Sequence, residues 1–292
     1  MRITVRVPAS AANLGPGFDC FGLALDLCNE VVADTDAPAG ITWEGEGADE
    51  LPTDGSDLVS TTVASVAGQM GLPVPAYALH GVNRIPLERG LGSSSAAAVA
   101  GVVLASALLE LGWHEDRTTV FAAAAGIEGH PDNAAPAVFG GFTLAMPDGY
   151  VHRLDPHPDI RPVVIVPPSR LLTAEARAAL LATVPLADAV FNAAHAALAV
   201  EALTRDPSLL GRALRDRLHQ DARLALVPEV QERADLLIRA RIPVVVSGAG
   251  PSLLAFESEA TPAVTPELLD VTSSWRILRP GVRAAGMEVA IA

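Results

Sequence analysis

Apolar and polar residues alternate through "ITVRVPAS" at the start of the chain, which is the period of a half-buried strand. The stretch "NLGPGFDCFGLALDLCNEVVADT" then reads as a tight glycine turn followed by further strand or short helix. Spacing becomes helical in "DLVSTTVASVAGQMG" (57–71) and strand-like in "YALHGVNRIP" (77–86). Next, "RGLGSSSAAAVAGVVLASALLELG" (89–112) joins a glycine and serine turn to an uncharged run. That run, Ala96 to Leu109, is shorter than the roughly 18 to 20 apolar residues of a membrane span. It predicts a buried helix beginning at Ser93, Ser94 and Ser95 and ending at Gly112. "TTVFAAAAGIEG" predicts another helix, and "VFGGFTLAM" with "YVHRL" a hairpin turning at Pro147, Asp148 and Gly149.

The proline-rich "DPHPDIRP" (155–162) marks a boundary before the strand "VVIVPP". Helical spacing follows in "TAEARAALLATV", "DAVFNAAHAALAVEALT", "PSLLGRALRDRLHQDARLAL" and "EVQERADLLIRA". "IPVVVSGAGPSLLAFE" reads as strand, glycine turn and strand, and "WRILRP" and "GMEVAIA" as edge strands. The expectation is an α+β protein of two domains, 1–155 and 156–292.

Composition narrows the function. A chain of 292 residues, half of them hydrophobic, buries a sizeable core in one large or two medium domains. Its net charge of -14 opposes attraction to nucleic acid or an anionic membrane, so neither is an expected partner. All 20 basic residues are arginine, which excludes a P-loop lysine, a protein-kinase strand lysine and a Schiff-base lysine. The first residues contain no long apolar segment of the kind that marks export, so a cytoplasmic location is expected. Cys20 and Cys28 lack metal-like spacing or a disulfide framework and read as reduced, small hydrophobes.

A "GLG" turn opening a helix leaves unpaired N–H groups in its first turn, a cradle for an anion. The plainer reading is a turn before a core helix. Two further glycine turns accompany it, so that "PASAANLGPGFD" (8–19), "PLERGLGSSSA" (86–96) and "SGAGPS" (247–252) stand in sequence. In order and spacing they resemble the three motifs of the GHMP small-molecule kinases. "EGHPDNAAPAVFGG" (128–141) and "TAEAR" (173–177) are similar to the homoserine kinase branch of that family. The resemblance runs from Pro8 to Ser252. It implies a two-domain GHMP kinase fold, with an N-terminal domain like ribosomal protein S5 domain 2 and a C-terminal ferredoxin-like domain. ATP and substrate would lie in the cleft between them. The implied activity is ATP-dependent phosphorylation of the side-chain hydroxyl of L-homoserine, a step toward threonine. Relatives are commonly dimers, so a homodimer is open.

The resemblance also implies roles for individual residues. Pro86, Leu87, Glu88, Arg89, Gly90, Leu91, Gly92, Ser93, Ser94, Ser95 and Ala96 would wrap the ATP phosphates, backbone N–H groups and the helix dipole doing what a P-loop shares with its lysine. Mg2+ would take the Ser94 hydroxyl and the Glu128 carboxylate, residues otherwise readable as a helix cap and a solvated helix end. Asp132 of "HPDN" is the candidate base. Because phosphoryl transfer depends mainly on positioning, a turn-forming, substrate-binding Asp132 with no dedicated base stays open. Asn13 would bridge the reacting hydroxyl or the amine and Asp19 would accept from the ammonium, the plainer reading being turn formation and capping. His130 and Asn133 would hold the loop and contact substrate, with Thr173. Arg177 and Arg223 would bind the carboxylate. "SGAGPS" carries Ala249 where serine or glycine is common, so it is given a supporting role. Two other readings compete: a related kinase acting on mevalonate, a sugar or shikimate, and a kinase-like fold that binds ATP or another ligand as a sensor without turnover.

Overall fold

The computed structural model describes residues 1–292. In chain order, β1 (Arg2–Ala12), β2 (Phe21–Asp34) and β3 (Gly40–Gly45) precede α1 (Leu58–Met70), β4 (Ala78–Asn83) and α2 (Ser93–Leu108). Helices α3 (Arg117–Glu128) and α4 (Pro131–Phe139) lead to the hairpin β5 (Phe142–Ala145) and β6 (Val151–Leu154). Strand β7 (Arg161–Val166) opens the second half, followed by α5 (Thr173–Ala178), α6 (Leu186–Thr204), α7 (Leu210–Ala213), α8 (Gln220–Leu224) and α9 (Pro228–Arg239). The chain closes with β8 (Val244–Val246), β9 (Leu253–Glu257), α10 (Pro266–Leu269), β10 (Arg276–Leu278) and β11 (Glu288–Ile291).

Two sheets result. The first runs β11-β1-β2-β4-β3, with β5 also on β2 and β6 on β5. Helices α2 and α4 pack on β1, and α1 and α3 pack on α2. The alternation seen at the N-terminus puts Ile3, Val5 and Val7 into that core. The second sheet is antiparallel in the order β10-β7-β9-β8, the 4-1-3-2 order of a ferredoxin-like layer. The unbroken apolar run of β7 has a physical reason: both its faces are covered. Val164 and Val166 join the larger core with Ala199 and Leu203 of α6, whereas Val163 and Ile165 meet Val230 and Leu237 of α9. By length and hydropathy α6 could cross a bilayer, yet it packs Ala199, Ala202 and Leu203 into the core.

Several expectations are corrected. Strand β11 pairs with β1 and Val282 bridges Leu25, so the last residues of the 156–292 unit return to the first sheet. Helix α2 stops at Leu108 rather than at Gly112. Glu110 adopts φ 54° and the N–H of Leu111 reaches the Ser106 carbonyl, closing the helix without a glycine. "PSLLGRALRDRLHQDARLAL" breaks into pieces because the Asp216 carboxylate accepts the N–H groups of His219 and Gln220, restarting the helix there. Val138 and Phe139, read as strand, belong to α4. Strand β3 and helix α4 were not anticipated; β3 is a parallel edge strand with only one large apolar side chain besides Ile41, Trp43.

Candidate active site

The three glycine turns meet in the cleft between the sheets. Asn13 leaves β1 with φ 69°; its Nδ2 donates to the Gly248 carbonyl at 2.9 Å and its Oδ1 accepts from the Asp19 N–H at 3.0 Å. The Ser247 hydroxyl donates to the Gly90 carbonyl at 2.8 Å. A Cβ on Gly90 would stand 2.2 Å from the Ser247 carbonyl oxygen, so the second and third turns can meet only at a glycine. The Ser10 hydroxyl donates to Asn133 Oδ1 at 2.9 Å, tying "HPDN" to the first turn. Gly22 of β2 serves the same loop: a Cβ there would lie 2.3 Å from the Asp132 carbonyl.

Gly92, at φ 68°, precedes α2, and no side chain caps the helix. The first-turn N–H groups are therefore left without side-chain partners beside a cavity of about 170 Å³, lined by the loop from Glu88 to Ser95. Ser94 and Ser95 do not cap the helix. Both hydroxyls donate to one oxygen of Glu128, at 2.7 and 2.9 Å. Glu128 is the last residue of α3, where the helix dipole disfavours a carboxylate, so its placement is not explained by helix stability.

The opposite wall carries the amino-acid candidates. Arg177, in α5, grips Asp19 with both guanidinium ends, at 3.1 and 3.0 Å. Thr173 begins the same helix and lines the cavity, as do Asn13, His130 and Asn133. Asp132 sits in the first turn of α4, 2% exposed. Burial, and then the charge of Asp19, raise its pKa to about 6, against the pull of His130 and Arg177. Arg223 is buried, with Nη1 donating to the Gly248 carbonyl at 2.7 Å.

Not every residue of the second motif faces this cavity. Leu87 and Ala96 line an adjoining, more apolar space of about 300 Å³ with Trp43, Leu58, Val59, Ala97 and Ala100; the two spaces share Glu88, Ser93 and Ser94. The apolar members come from separate elements, and no local pattern in the sequence joins them. The Arg89 guanidinium is engaged by the carbonyls of Pro167, Pro168 and Leu87 at 3.1, 2.7 and 3.3 Å, which clamps the loop to the segment that follows β7.

Known proteins resemble this chain in sequence and in fold. A family model for the GHMP kinases N terminal domain matches residues 57–141. The chain is 43% identical to a homoserine kinase of Clavibacter michiganensis subsp. michiganensis, over 99% of this chain and 94% of that protein. The chain belongs to the homoserine kinase family. A homoserine kinase of Cutibacterium acnes is 46% identical over 88% of this chain and 89% of its own length. The crystal structure of homoserine kinase from Cytophaga hutchinsonii aligns with a TM-score of 0.80 at 26% identity, covering 99% of this chain and 97% of that one. Membership makes the chain a kinase of a family that uses ATP.

Proposed function

We propose that the chain transfers the terminal phosphoryl group of ATP to the side-chain hydroxyl of L-homoserine, giving ADP and O-phospho-L-homoserine on the way to threonine. The observation that carries this reading is the Asp19–Arg177 pair beside the glycine loop. One anion and one cation, each about half exposed to the cavity, match the ammonium and carboxylate of a zwitterion. A substrate without those charges leaves both groups unused.

The nucleoside occupies the apolar 300 Å³ space, and its phosphates extend along Gly90 to Ser95 toward the free N–H groups of α2. Ser94, Ser95 and Glu128 form an all-oxygen donor set with a single carboxylate, which suits Mg2+, since this ion completes its shell with phosphate oxygens and water. Bound Mg2+ supplies charge neutralisation for the phosphates. Homoserine lies between Asp19, Arg177 and Arg223, with Thr173 and His130 beside it. Its hydroxyl faces Asp132, the buried carboxylate that receives the proton; a carboxylate with a pKa near 6 is ionised at neutral pH and remains a competent acceptor. Asn13, held by Gly248 and Asp19, keeps that end of the pocket in place.

A coupled ADP-release assay with Mg2+ and ATP tests the reading against L-homoserine, mevalonate, galactose, shikimate and L-threonine, with product identified by mass. Turnover dominated by homoserine and a phosphohomoserine product is expected. Faster turnover of an uncharged alcohol, or ATP binding with no product from any of the five, rejects it.

A further inference from the structure

His219 has no part in the chemistry above, yet it is 1% exposed behind the substrate wall. Its Nε2 lies 2.8 Å from the Gly15 carbonyl oxygen and its Nδ1 lies 3.1 Å from Nη1 of Arg223. A carbonyl only accepts and a guanidinium only donates, so these partners select the neutral ring with its proton on Nε2. Burial outweighs the nearby Asp216 and holds the pKa at about 4, which keeps that state through the physiological range. The ring is itself held: the backbone N–H groups of His219 and Gln220 both donate to Asp216 at 2.8 Å, and Asn192 donates to the same carboxylate at 2.7 Å. Phe18 packs 5.2 Å from the imidazole and lies within 5.4 Å of the Arg223 guanidinium and 5.9 Å of that of Arg177.

Arg223 spends one nitrogen, Nη1, on both the Gly248 carbonyl and His219. The guanidinium is planar, so anchoring one nitrogen at two acceptors sets the plane of the other donors, and the residue lines the substrate cavity. We infer that His219 is a positioning residue: its neutral ring orients Arg223 for the substrate carboxylate and, through Gly15, couples that arginine to the turn that carries Phe18 and Asp19. This rests on the reading that the cavity takes a zwitterionic amino acid. A bare structural role would instead support the whole fold without distinguishing the two substrates.

The test compares wild type with His219→Leu, which fills the space without hydrogen bonds, and His219→Gln, which can both donate to Gly15 and accept from Arg223. The expected result is a homoserine KM raised about tenfold or more in His219→Leu, with kcat and the ATP KM changed less than about twofold and most of the loss restored in His219→Gln. A homoserine KM within about twofold of wild type, or parallel loss in kcat and both KM values, overturns the proposal. If His219→Leu does not fold, His219→Gln and the ring 15N spectrum of the wild-type protein decide. A neutral ring at pH 6, protonated at Nε2 with Nδ1 as an acceptor, supports the contact; a ring titrating near the ordinary histidine value of about 6.5 refutes it. Wild-type enzyme that fails to phosphorylate homoserine refutes the functional reading instead, and the ring spectrum still decides the contact with Arg223.

Discussion

Arg177 holds both carboxylate oxygens of Asp19 across 158 residues of sequence, one from a helix of the second half and the other from the first glycine turn. The pair joins the walls of the cleft. On the proposed reading it also offers the two charges that a zwitterionic substrate needs, so binding would exchange one ion pair for two.

Replacing Arg177 with alanine is expected to raise the homoserine KM by about ten- to a hundredfold with little effect on the ATP KM. Separate titrations of the two substrates check it. Equal changes in both constants would mean that Arg177 mainly holds the domains together.

Asp132 gives opposite expectations for activity and stability. Its folded pKa of about 6 exceeds the ordinary value of 3.8, so the folded state binds the proton more tightly than the unfolded chain does. The stabilisation is full below pH 3.8 and is lost as the pH rises through 6. At neutral pH the ionised group costs on the order of 2–3 kcal/mol. Asp132→Asn should therefore raise the unfolding midpoint at pH 7.5 while lowering kcat at least about a hundredfold. Thermal unfolding and single-turnover rates on one preparation check both signs.

In wild type, kcat/KM for homoserine should fall tenfold per pH unit below about 6 as Asp132 is protonated. An Asp132→Asn variant with residual activity should lose that limb. A wild-type profile flat from pH 5 to pH 8 would remove Asp132 as proton acceptor.

Much of this site was legible because it is written in short contiguous runs. Glycine turns such as "GLGSSSA" announce themselves by residue type, and the alternation of β1 and the spacing of α1 and α3 each report one buried face. The failures have a common physical origin, long-range partners. Neither the Asp19–Arg177 pairing nor the return of β11 to β1 has a local signal. The serines that open α2 looked like caps because their hydroxyls could bond locally, and only the fold brings Glu128 within reach of Ser94 and Ser95. Asp216 broke a helical pattern whose spacing was sound, since one buried carboxylate accepting two N–H groups outweighs weak helix propensity. Arg89 stands in the second glycine motif, yet its side chain answers to carbonyls in the second half.

Gly90→Ala should destabilise the protein by at least about 2 kcal/mol, since φ 68° strains a side chain and its Cβ would meet the Ser247 carbonyl. Urea unfolding measures this. A change under about 0.5 kcal/mol would show that the second and third turns need not touch.

Ala97→Phe should fill the apolar space beside the second glycine turn, raising the ATP KM about tenfold or more while sparing the homoserine KM. Nucleotide titration by calorimetry checks it, and unchanged ATP affinity would move the nucleoside elsewhere.

The most direct measurement compares kcat/KM for L-homoserine with that for 4-hydroxybutyrate, which lacks the ammonium, and 3-aminopropan-1-ol, which lacks the carboxylate. All three present the same primary hydroxyl. If Asp19, Arg177 and Arg223 recognise a zwitterion, each analogue loses at least about a hundredfold. An analogue turned over as well as homoserine would contradict the account.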